Sequence, residues 1–125
     1  MTGDVSVAAA LLDLLRYAVG RCPHDVAVAV ARQAERARVT RETPGRMLDV
    51  EVPDDVDLIP APDGPLRPIP QVVEVSGEVT GELMVWLRDG RLTGLERPWW
   101  TEEAPTGWPT PAQLQFSPTV PGDPR

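Results

Sequence analysis

Hydrophobic and polar positions follow two rhythms along this chain, helical at first and strand-like later. Ala8, Leu11, Leu12, Leu15 and Val19 recur at the three-to-four-residue spacing of one helix face, which predicts a helix over residues 5–19. Asp4 is placed to cap it, Gly20 to stop it, and Asp13 and Arg16 to pair on its far side. Leu14 and Tyr17 widen the apolar stripe, so most of the circumference is expected to be covered, by the rest of the chain or by a second copy of it. Over residues 23–38, Val26, Val28 and Val30 alternate with alanines in a strand-like period of two. The run from Ala31 to Ala37, however, is built of strong helix formers, and Pro23 and Asp25 suit a first turn. That balance predicts a second helix with its valines facing in.

The pattern then changes to strands. Residues 39–42 and 47–52 read as short β-segments around a Thr-Pro-Gly-Arg turn at 43–46. In the second of them Leu48, Val50 and Val52 share one side, and Asp49 and Glu51 take the other. Further strands are expected at 71–75, 82–88 and 91–97. The last two are joined by Asp89-Gly90, a two-residue turn of the kind that fixes hairpin register because both residues adopt positive φ. That register sets Trp86 opposite Thr93, Met84 opposite Leu95 and Glu82 opposite Arg97. On the other face it sets Leu87 opposite Leu92, Val85 opposite Gly94 and Leu83 opposite Glu96. The run Leu83-Met84-Val85-Trp86-Leu87 is apolar on both faces, so an inner strand covered on both sides is expected. Gly94 marks a bulge or a close approach by a neighbour.

Proline sharpens this outline. Of 15 prolines, six fall in residues 53–70 and seven in 98–124, on either side of a stretch with none. Proline cannot donate to a ladder, so 53–70 is expected to be a crossing loop and not a strand. The Pro/Trp-rich segment after residue 98 is expected to loosen into a flexible tail over 115–125, leaving one domain over 1–114. The expected fold is α+β: two N-terminal helices packed on a mostly antiparallel sheet of four to five strands.

Charge narrows the function classes. The net charge is −7, with +2 over residues 1–46 and −9 over 47–125. An acidic chain is not expected to bind nucleic acid, whose phosphates call for a positive patch. An acidic C-terminal half instead favours a basic partner, or serves solubility alone. No run is long and apolar enough to span a membrane, and Met1-Thr2-Gly3-Asp4 lacks the positive start of a secretory signal, so a cytoplasmic location is expected.

Candidate chemistry is sparse. Cys22-Pro23-His24-Asp25 gathers the one thiol, the one imidazole and a carboxylate, at a helix start that could activate the thiol. The alternative is a partly buried cysteine beside an ordinary capping segment. One Cys and one His are too few for a zinc site, so neither metal nor cofactor is expected. The acid groups Asp54/Asp55/Asp57, Glu102/Glu103 and Glu82 with Glu96 are expected to be solvated surface. No phosphate loop, serine-nucleophile elbow or HExxH motif occurs, which leaves an enzyme the third choice of class.

The tryptophans are the stronger signal. Trp86, Trp99, Trp100 and Trp108 lie among Glu96, Arg97, Glu102 and Glu103, and tryptophan supplies large rigid area with one polar handle. They either pin the C-terminal segment across the sheet as a small core or form a binding face. In the second case Trp100→Ala is expected to fold and fail to bind.

Residues 81–111 carry a hydrophobic strand, the Asp89-Gly90 turn, the strand end Leu95-Glu96 and the loop Trp100-Thr101-Glu102-Glu103-Ala104-Pro105-Thr106-Gly107-Trp108-Pro109. In that order they resemble a pattern found in small uncharacterised bacterial proteins, many of them actinobacterial. The resemblance implies a stabilising hairpin with a lid and implies no activity. The expectation is thus a small interaction protein, of immunity or accessory type, binding a basic partner through Trp86, Trp99, Trp100, Glu102, Glu103 and Trp108. A binder of a small apolar ligand between helices and sheet is the second expectation, and self-association through the first helix is open.

Overall fold

A computed structural model describes residues 5–116. Its first element is a two-residue strand, β1 (Val5–Ser6), and not the start of the helix that the apolar spacing predicts. Val5 and Ser6 pair antiparallel with Val39 and Arg38, so the sheet edge takes this backbone before a helix can form. Helix α1 (Ala9–Ala18) then starts from Ala8, whose ψ of 150° is extended. Asp4, expected as the cap, lies outside the described residues. α1 buries Leu11, Leu14, Leu15 and Ala18 and leaves Tyr17 exposed. The Asp13–Arg16 pair forms at 3.3 Å on the solvent side.

Helix α2 (His24–Arg36) follows directly on Pro23, where a missing N–H leaves no intrahelical bond unmade. Asp25 accepts the N–H of Val26 at 2.9 Å, and Val26 and Val30 are buried as the pattern expects.

The fold is α+β with the helices N-terminal, and its strands divide between two sheets. The larger contains β1, β2 (Arg38–Thr43), β3 (Met47–Glu51), β4 (Gly64–Pro65), β7 (Met84–Arg88) and β8 (Arg91–Glu96) in the order β1-β2-β3-β8-β7-β4. The smaller contains β5 (Gln71–Val73), β6 (Val79–Glu82) and β9 (Leu114–Gln115) in the order β6-β5-β9. Every pairing is antiparallel.

Four expectations are corrected here. The strand expected over 82–88 is two strands in two sheets, separated at Leu83, whose side chain is wholly buried. Glu82 still pairs with Gln71 and donates to Pro98 O, but Leu83 donates its N–H to Pro70 O and belongs to neither strand. The 53–70 segment is not entirely loop: Gly64 and Pro65 pair with Leu87 and Trp86 at the sheet edge, a position where a sheet accepts proline.

The hairpin register also shifts. Arg88↔Arg91 and Leu87↔Leu92 follow from the turn, whose Asp89 and Gly90 have φ of 52° and 73°. Beyond them Trp86 faces Gly94, Val85 faces Leu95 and Met84 faces Glu96, with Thr93 as the extra residue of a bulge. A Cβ at Gly94 would strike the carbonyl oxygen of Leu48 in β3, so this bulge sits where two backbones come unusually close. Finally, β7 is not covered on both sides. Leu83, Val85 and Leu87 are buried in the core with Leu14, Leu15, Val30, Leu48, Leu92 and Leu95, but Met84 and Trp86 are half-buried on an open face.

One polar side chain ties the layers together. Gln33 of α2 is 1% exposed; its amide nitrogen donates to Asp57 O (2.8 Å) and Gly90 O (3.0 Å), and its oxygen accepts the N–H of Leu92 (2.8 Å). Gln33 thus ties both the long loop and the hairpin turn to the helix. At the other end a 3₁₀ turn (Pro111–Gln113) leads into β9, where Gln115, expected to begin a tail, pairs with Gln71. The rest of that expected tail, from residue 117, lies outside the described residues.

Candidate functional site

The segment after β8 has few backbone donors to spare because of its prolines, and it is fastened mostly by side chains. Trp99 bridges to Gly81, and Trp100 donates its backbone N–H to Thr80 O. Arg46 donates from Nε to Pro105 O (3.4 Å), and its guanidinium lies 5.5 Å from the centre of the Trp99 ring. Arg97 donates from Nη1 to Gly107 O, and the Trp108 indole donates to Glu42 Oε2 (3.0 Å). Proline and glycine carbonyls with no ladder partner are natural acceptors for such arginines.

This fastening leaves a hollow of about 840 Å³ between the segment and the small sheet. Trp99 and Trp108 line it, with Glu74, Glu78, Glu102 and Glu103 and, among the rest, Arg97 and Gln113. Trp99 keeps 38% of its surface exposed. Glu74 is engaged: it accepts from Thr80 Oγ1 (2.8 Å) and Gln113 Nε2 (3.4 Å) and stands 3.6 Å from Arg97. Glu78, Glu102 and Glu103 are exposed and have no ion-pair partner among the described residues. With Glu74 set against Arg97, those three leave the hollow net negative.

Arg97 is the residue that sequence reasoning missed. It was expected as an ordinary strand end, opposite Glu82, and is instead 8% exposed. Burial lowers its pKa, and the Glu74 carboxylate offsets this in part. Its partners, Glu74 and Gly107, lie far enough away in sequence that no local pattern announces them. A lone arginine between an acidic strand end and a proline offers no signal of burial.

Of the six expected site residues, four come together here: Trp99, Glu102, Glu103 and Trp108. Trp86 borders a different hollow, of about 530 Å³, on the open sheet face; its indole is fixed by Glu96 Oε1 at 3.0 Å, with Asp49, Asp63 and Arg88 nearby. Trp100 lines neither; its indole donates to Val79 O (2.8 Å) and over half its surface is exposed.

The Cys22–His24 segment does not assemble a nucleophile and base. Cys22 donates from Sγ to Arg67 O (3.4 Å), and partial burial pushes its thiol up from its ordinary value. His24 is exposed at the start of α2. The acids of the crossing loop serve structure or face solvent: Asp55 pairs with Arg36 at 3.0 Å, and the Asp54 and Asp57 carbonyls accept from Arg91 and Gln33. Glu82 and Glu96 fall in different sheets. Among the described residues no group of three or more His, Cys, Asp or Glu is placed to hold a metal, and no helix is long and apolar enough to cross a membrane.

The arrangement is therefore an α+β domain with a tryptophan-walled, acid-rimmed hollow beside its smaller sheet. No protein family, curated protein or solved structure matches the chain.

Proposed function

We propose that this chain is a non-enzymatic protein-binding module that takes a basic segment of another protein into the Trp99/Trp108 hollow. One observation carries this: Glu78, Glu102 and Glu103, none of them ion-paired among the described residues, line a hollow with two tryptophans in its wall. Indole faces attract ammonium and guanidinium groups, and carboxylates at the rim add long-range attraction and speed encounter. The internal stacking of Arg46 near Trp99 is an example of the same chemistry. Size and charge suit an immunity-type or accessory protein that covers a basic surface.

The second reading, an apolar ligand between helices and sheet, has less support. Between the helices and the larger sheet, Leu14, Leu15, Val30, Leu48, Val85 and Leu92 pack into one buried core.

The test is a titration of tryptophan fluorescence with an arginine-rich peptide and with a glutamate-rich peptide of equal length. A shift with the first alone, weakening as salt rises, is the expected result. No shift with the arginine-rich peptide, or an equal shift with both, would rule the reading out.

A further inference from the structure

We draw no further inference here: the strongest candidate, the open face of the larger sheet over Gly94, where Met47 and Trp86 line a hollow of about 530 Å³, carries nothing because nothing among the described residues shows what covers it.

Discussion

The side-chain oxygen of Gln33 accepts the backbone N–H of Leu92 at 2.8 Å, in a place the solvent does not reach. Its amide nitrogen meanwhile holds the carbonyls of Asp57 and Gly90. The Gly90 carbonyl also accepts the N–H of Ile59, so Leu92 N–H, which is buried, and Asp57 O are the groups that depend on the glutamine. Gln33→Leu keeps much of the volume and removes both partners, and an unmet buried polar group costs roughly 1–3 kcal/mol. The variant is expected to lose about 2 kcal/mol in urea unfolding; no measurable loss would show that other groups take over.

Gly94→Ala would place a methyl group against Leu48 O, which belongs to backbone and cannot rotate away. The two central strands must then separate. A loss of about 2 kcal/mol or more is expected, in the range of strained core substitutions. Thermal unfolding checks this, with Gly107→Ala as the control, because no atom lies within 4 Å of its Cβ position.

Trp99 and Trp100 are adjacent in sequence and differ in surroundings. Trp99 lines the acid-rimmed hollow; Trp100 donates to Val79 and lies outside it. Trp99→Ala is expected to fold and to bind an arginine-rich peptide at least about tenfold more weakly, as hot-spot tryptophans do on truncation. Trp100→Ala is expected to fold and bind as the wild type. Reversal of this order would move the site to the outer face.

Cys22 gives a prediction in pH. Burial raises its thiol pKa in the folded chain, so the native state holds that proton more tightly than the unfolded state does. Stability from this source is complete below the ordinary thiol pKa of about 8.5 and is lost as pH rises past it. Urea midpoints are expected to fall more steeply between pH 8 and 10 for the wild type than for Cys22→Ala. Parallel curves would mean that the thiol contributes nothing. Alkylation by iodoacetamide at pH 8 is expected to be slower in the native chain than in urea.

Much of the fold was legible in the residues. The Asp89-Gly90 turn, the inward Val26 and Val30 of α2 and the alternation at Leu48 and Val50 all act locally, so local pattern reveals them; Val28, expected inward with its neighbours, is half-buried on the other side of the helix. The division at Leu83 was hidden because an unbroken apolar run looks alike whether it crosses one sheet or passes between two. Gly94 announced the bulge and the close approach of β3, while the register shift that follows was hidden because it answers to a strand some 45 positions back in sequence. At the site, tryptophan and glutamate announced themselves by composition. Arg97 did not, because what makes it unusual is the absence of water around it.

Past the backbone pairing of Pro98, Trp99 and Trp100 with β6, the segment over residues 101–110 is fastened at separate points, by Arg46 to Pro105, Arg97 to Gly107 and Trp108 to Glu42. A strand in a ladder opens cooperatively, since each bond steadies the next. Fastenings made by separate side chains carry no such coupling, and each can let go while the others hold. Its free backbone amides should therefore exchange with solvent through small independent openings, far more often than those of the neighbouring β8, and without any unfolding of the sheet beneath.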